Sequence, residues 1–379
     1  MLLLKKLGTP PKTGEESAVK AAVCYEFGKP LVIDEIEIDP PRSGEVMVRL
    51  AATAVCHSDV HHIRGHWGGP TPTVTGHESA GIVEEVGEGV TFTRPGDHVV
   101  VSLLRSCGHC FYCTTGAPYF CEGRFVLDAE TRLHTRGGEP VEQGIFVGGF
   151  AEYAAVDQSQ VVPVPKEVPL ECAALLACGV ITGVGAVINA ARVEPGSSVV
   201  VIGAGGVGLN AVQGAALSGA NPIIAVDMLD AKLEAARTFG ATHTVNARRE
   251  DAVRAVRRLT PAEHGADYVF VTAGSAAATE QGVKMLRKEG LLVALGIPEI
   301  EATTPLSVYD LVIKGARVMG CRQGASRLRV DVPRLVGLYQ SGRLKLDELI
   351  TARYPLERIN EAIASMERGE ALRNVIVFS

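Results

Sequence analysis

The residues best equipped for chemistry crowd into "AVCHSDVHHIRG", Ala54 to Gly65. One cysteine, three histidines, a serine and an aspartate fall between Cys56 and His62. Thiolate and imidazole bind soft divalent metals, and hydroxyl and imidazole pass protons. Further on, "GHES" adds His77 and Glu78. A metal that does chemistry needs three protein ligands and one open position. Cys56 and His77 supply two. Cys178, in "LLACGVITG", is the soft ligand standing where the pattern of the chain changes.

A second group is self-contained. "CGHCFYCTTGAPYFC" places Cys107, Cys110, Cys113 and Cys121 as C-x2-C-x2-C-x7-C. Four thiolates at about 2.3 Å complete a tetrahedral zinc and leave no room for substrate. An iron–sulfur run begins alike but continues C-x3-C-P. Here seven residues precede Cys121 and Glu122 follows it. Without an export signal, disulfides are the weaker reading. His109 reads as a solvated loop residue. A nucleic-acid-binding zinc ribbon needs flanking cations, and only Arg105 and Arg124 are near.

The third constellation is "GAGGVG", Gly203, Ala204, Gly205, Gly206, Val207 and Gly208. It follows the apolar run "SVVVI" and opens a helical pattern, the setting a dinucleotide site requires. Gly203 permits the turn, Gly205 lets backbone approach a pyrophosphate, and Gly208 lets helix and strand pack. The helix start offers free N–H groups to the phosphates. Asp227, which ends "IIAVD", stands 19 residues beyond Gly208. Its carboxylate accepts from ribose hydroxyls and repels a 2′-phosphate, which selects NAD over NADP. Lys232 is placed to help hold the ribose.

These groups need two kinds of scaffold. Up to about residue 180, short Val- and Thr-rich segments such as "EVMVRLAAT" and "SAGIVEEVG" alternate with Gly and Pro, as in an antiparallel barrel. Beyond it, "VVVIG", "IIAVD", "ADYVFVTAG" and "LLVALG" alternate with the helical stretches "VGLNAVQGAALSG", "AKLEAARTFG" and "AAATEQGVKMLRKEG". That is a doubly wound parallel sheet. The last part returns to a mixed pattern, with a helix near "DVPRLVGLYQSG" and a final strand "RNVIVF". The opening "MLLLKKLGTPPKTGEES" reads as a frayed tail.

With 379 residues and 46% apolar content, the chain supports about two cored domains. A net charge of −6 without basic clusters argues against nucleic acid and anionic membranes as partners. No run reaches the length of a membrane span, and a cytoplasmic location is expected.

The joint order of "CHSDVH", "GHESAGIVEEVGEGV", "GDHVV", the four-cysteine lobe, "GGFAEY", "LLACGVITGVGA", "GAGGVG" and "ALRNVIVF" resembles the zinc-dependent medium-chain alcohol dehydrogenases of two-zinc, long-loop type, from about Val19 to Phe378. The resemblance implies a GroES-like antiparallel β-barrel-type catalytic domain over 1–179 and 321–379, and a Rossmann dinucleotide-binding domain over 180–320. It implies Zn2+ (two per chain) and NAD, an alcohol or aldehyde substrate, and a homodimer or homotetramer. Cys56, His77 and Cys178 match the catalytic zinc ligands, and Glu78 an acid behind the metal. Asp59 matches the carboxylate that orients His77. Ser58 matches the hydroxyl that takes the alcohol proton, which passes through the nicotinamide ribose to His61. His57, Thr182 and Arg373 match cofactor contacts, and Leu295 to Ile297 the backbone facing the nicotinamide amide. His62 has no match and is expected to be exposed.

Trp67, Leu103 and Ile145 match an apolar substrate pocket suited to medium or aromatic primary alcohols. The loop from Glu122 to Gly149 is shorter than in the long-loop animal enzymes. Two alternatives accompany this reading. One is an S-(hydroxymethyl)thiol (formaldehyde) dehydrogenase, which carries Tyr where this chain has His61 and an Arg in a register that Arg124 misses. The other is an inactive zinc- and NAD-binding protein.

Overall fold

The structure, a computed structural model, describes residues 18–378. The expected N-terminal tail lies outside them. Three sheets organise the described residues. Strands Ala18–Cys24, Val32–Ile38, Leu133–His134, Pro140–Gln143 and Thr73–Val74 close into a small barrel. Beside it lies a seven-stranded sheet centred on Glu45–Ala54. The barrel and this sheet are clamped by a buried ion pair. Arg132 donates from Nη2 and Nε to the Glu45 carboxylate at 2.7 and 2.9 Å.

The third sheet is six-stranded and wholly parallel. Numbered by sequence, its strands run 3-2-1-4-5-6 across the sheet, the dinucleotide-binding order. Its strands are apolar throughout because helices cover both faces. Val199, Val201 and Phe270 pack on one side, Val200, Ile224 and Val269 on the other. The fold joins the expected barrel-type domain to a Rossmann sheet.

One stretch departs from expectation. The helical pattern through "LRKEG" stops at Met285, and Leu286–Ala294 is strand. Leu286 is buried and pairs with Ala266, and Arg287 Nε donates to Asp267 at 2.5 Å. Tertiary pairing overrides the helix propensity of Arg, Lys and Glu.

Strand register assembles the chemistry. Ala54 pairs with Glu78, which pairs with Ser102. The chain after Ala54 therefore meets the chain before Glu78. Ser102 Oγ donates to Ala177 O at 2.6 Å, which draws Cys178 to the same place. The final strand, Arg373–Val377, lies one in from the edge of this sheet, antiparallel to Glu45–Ala54 and parallel to the edge strand Ile350–Pro355.

Candidate active site

Cys56 starts the helix His57–Ile63, and Asp59 in its first turn is fully buried. Asp59 Oδ2 accepts from Cys56 N at 3.0 Å, and Oδ1 from Gly76 N at 3.0 Å and His77 Nδ1 at 2.8 Å. One carboxylate thus ties two segments together and fixes the His77 ring. His77 Nε2 is left buried with no hydrogen-bond partner. The ligand atoms of Cys56, His77, Glu78 and Cys178 all lie within 4.8 Å of one another. Orphaned buried polar atoms are rare. Two thiols and an orphaned imidazole nitrogen form a donor set that fits zinc.

The cluster is electrostatically strained. The Cys56 thiol is held well below its usual range, first by its hydrogen bond with Cys178 and then by His77 and Arg373. Burial pushes the Glu78 carboxyl up to about 8, with Arg373 opposing. Arg373 Nη2 lies 3.2 Å from Glu78 Oε1 and is itself buried. Its guanidinium passes between two glycines. A Cβ on Gly179 would stand 2.0 Å from Nη2, and one on Gly206 2.2 Å from Nε. Arg373 therefore links the cluster to the first residue of helix Gly206–Leu217.

The glycine turn has the expected form. Gly203 adopts φ +96°, and a Cβ on Gly208 would stand 1.8 Å from Gly203 O. A Cβ on Gly205 would meet open space. Asp227 ends its strand and accepts from Ala204 N and Met228 N at 2.7 Å each. Lys232 is half-buried on the helix that follows, and Val207 on the helix the turn opens. Leu295 is buried just past Leu286–Ala294, and Ile297 is exposed. Thr182 Oγ1 lies 3.3 Å from Gln323 Oε1, and Gln323 Nε2 donates to Cys178 Sγ at 3.4 Å.

Along His57–Ile63, His57 is exposed and Ser58 half-buried. His61 Nδ1 is 2.9 Å from His66 Nδ1, and its ring stacks on Trp67. His62 is not exposed as expected. It is half-buried edge-on to Phe27, with Nε2 enclosed and unpartnered. It lies on the helix side that packs toward the barrel. Leu103 belongs to the main core and Ile145 packs against it. The Gly144–Phe146 turn that carries Ile145 touches helix His57–Ile63.

The four lobe cysteines also converge within 4.8 Å. Two of the Sγ separations are 4.0 Å (Cys107–Cys113) and 3.9 Å (Cys110–Cys121). A tetrahedron with bonds of about 2.3 Å has edges of about 3.8 Å. Backbone N–H groups point at the sulfurs: Cys107 N and Gly123 N donate to Cys121 Sγ at 3.2 Å, and Cys110 N to Cys107 Sγ at 3.3 Å. Such donors favour thiolates. His109 is exposed, as expected.

Residues 42–166 match the alcohol dehydrogenase GroES-like domain family, and residues 206–341 the zinc-binding dehydrogenase family. The chain is 41% identical to an NDMA-dependent alcohol dehydrogenase of Amycolatopsis methanolica, over 95% of this chain and 99% of that one. The chain belongs to the zinc-dependent medium-chain alcohol dehydrogenase family. An S-(hydroxymethyl)glutathione dehydrogenase of Paracoccus denitrificans is 35% identical, covering 95% of this chain and 99% of its own. The crystal structure of benzyl alcohol dehydrogenase from Acinetobacter calcoaceticus superposes with a TM-score of 0.90 at 34% identity, over 96% and 99% of the two chains. The enzyme is an oxidoreductase of the alcohol–aldehyde class that uses zinc and NAD(H).

Sequence reasoning missed three parts of this dehydrogenase's site. Gln323 carried no motif, because its contact with Cys178 spans 145 residues. The Glu78–Arg373 pair joins two residues singled out for separate reasons. His66 was passed over, although it follows a Gly that ends a helix, where a side chain can fold back.

Proposed function

We propose that the enzyme interconverts a primary alcohol of medium or aromatic character and its aldehyde, with NAD as hydride partner. The observation that carries this is His77 Nε2, buried and partnerless beside the Cys56 and Cys178 sulfurs. Cys56, His77 and Cys178 hold the catalytic zinc, and Cys107, Cys110, Cys113 and Cys121 a structural one. When bound, zinc acidifies a hydroxyl and polarises a carbonyl, and the nicotinamide exchanges hydride.

The chain's own residues do the rest. Asp59 accepts a hydrogen bond from His77 Nδ1–H and so fixes the tautomer that presents Nε2. Glu78 stands behind the ligands, where it can approach the metal as ligands exchange. Ser58 accepts the substrate proton and His61 carries it outward; three residues apart, they share one helix face. His57 donates to the pyrophosphate, Arg373 brings a cation to the glycine turn, and Lys232 helps hold the ribose. Asp227 receives ribose hydroxyls, and Thr182 and the Leu295–Ile297 backbone meet the nicotinamide. Trp67, Leu103 and Ile145 supply apolar walls. The division at about residues 180 and 320 separates metal-holding from dinucleotide-holding parts.

An apolar face supports a homo-oligomer. Val308, Tyr309, Val312 and Ile313 on helix Val308–Lys314 are exposed, beside the edge strand Arg317–Gly320. No helix among the described residues is long and apolar enough to cross a membrane, and we place the enzyme in the cytoplasm.

The relative acting on S-(hydroxymethyl)glutathione supports a second reading, with a hydroxymethyl thiol as substrate. The test is NADH formation from benzyl alcohol and from S-(hydroxymethyl)glutathione, with zinc counted by mass spectrometry. Turnover of benzyl alcohol with two zinc ions per chain supports the first reading. Exclusive turnover of the thiol adduct supports the second. Two zinc ions and no turnover of any alcohol would leave an inactive binding protein.

A further inference from the structure

We propose that His66 is the outlet of the proton path: a proton accepted by His61 leaves to water through His66. This rests on the reading of Ser58 and His61 given above. The Nδ1 atoms of His61 and His66 lie 2.9 Å apart, a separation at which two nitrogens share one proton. That contact occupies His61 Nδ1 and leaves Nε2 for the incoming proton. On receiving it, the ring becomes an imidazolium with both nitrogens as donors. The Nδ1 proton crosses to His66, which is exposed and hands a proton to water. One proton enters and one leaves, and no electrons move. The tautomers re-equilibrate with solvent between turnovers.

The local backbone builds this arrangement. Gly65 takes φ +76° where the helix ends, and His66 N donates to His61 O at 3.0 Å. The chain thereby turns back and lays the His66 ring beside His61. Trp67 stacks on His61 with ring centroids 5.5 Å apart and planes at 17°. The indole holds the ring plane, and its face favours the cationic form. The other ionisable groups facing His61 are Cys56 and His57 on its own segment and Glu299 beyond strand Leu286–Ala294. Burial and then His66 press the His61 pKa below its ordinary 6.5, and Glu299 and Cys56 oppose them.

The experiment compares the full-length zinc- and NAD-loaded enzyme with His66→Ala and His61→Gln. Benzyl alcohol oxidation is followed across a pH series at low and high imidazole. His66→Ala is expected to lose about three- to tenfold in turnover on the acid side, a modest share of the usual acid–base contribution. Added imidazole should restore it, with zinc content and NADH affinity unchanged. Nitrogen-15 NMR should show His61 titrating at higher pH in His66→Ala, because the opposition of the neighbouring ring to charge on His61 is gone. If His61→Gln is impaired while His66→Ala keeps the parent pH profile and ignores imidazole, the outlet is elsewhere. If His61→Gln also behaves as the parent, the relay reading itself fails and takes the outlet with it.

Discussion

Asp59 shows how much one side chain can set. Its two oxygens accept three hydrogen bonds that fix Cys56, Gly76 and His77 in one frame. The metal geometry is therefore decided by a residue that need not touch metal. Ser58 stands beside it with a different task. Ser58→Ala should lower turnover by about 100-fold or more while zinc content stays the same; near-parent turnover would remove Ser58 from the proton path. Asp227, proposed to receive the ribose, also accepts from Ala204 N in the glycine turn. Asp227→Gly should weaken NAD binding and narrow the gap between NAD and NADP, measured as the ratio of kcat/KM for the two. An unchanged ratio would sink the ribose assignment.

Elements carry these residues to their places, and some of those elements were legible in advance. The parallel sheet was, because continuous apolar strands and a glycine turn at the right spacing leave few alternatives. The lobe was legible because all its ligands lie within one short stretch. The barrel strands were harder: Thr73–Val74 and Leu133–His134 are too short for any alternation to register. The end of the helix at Met285 was misread, since only pairing with Ala266 reveals Leu286 as strand. Contacts between remote residues, such as Gln323 with Cys178, leave no local trace at all. The Arg132–Glu45 clamp is of this kind, and it has a consequence for stability. Arg132→Ala leaves a buried carboxylate alone and should cost about 3–5 kcal/mol, read from chemical denaturation. A loss under about 1 kcal/mol would show that Glu45 finds water or another partner.

At the scale of the molecule, the uncovered apolar helix Val308–Lys314 is the feature that the single chain leaves unfinished. Val312 is 72% exposed and Ile313 59% exposed. A second copy would cover them, and Val312→Asp should shift the mass in light scattering toward a monomer. An unchanged mass would exclude this face as the contact between subunits. The whole-molecule layout also places one cation between the two proposed sites. Arg373 touches Glu78 at one end and passes the glycine turn at the other.

The placement of Arg373–Val377 between Glu45–Ala54 and the edge strand Ile350–Pro355 has a temporal meaning. A chain growing from a ribosome cannot close that sheet while its last strand is still inside the exit tunnel. The dinucleotide-binding half has all its strands earlier and can settle during synthesis. The sheet beside it must wait until Arg373–Val377 has emerged, so newly made protein passes through a stage with a finished nucleotide fold and an open gap in that sheet.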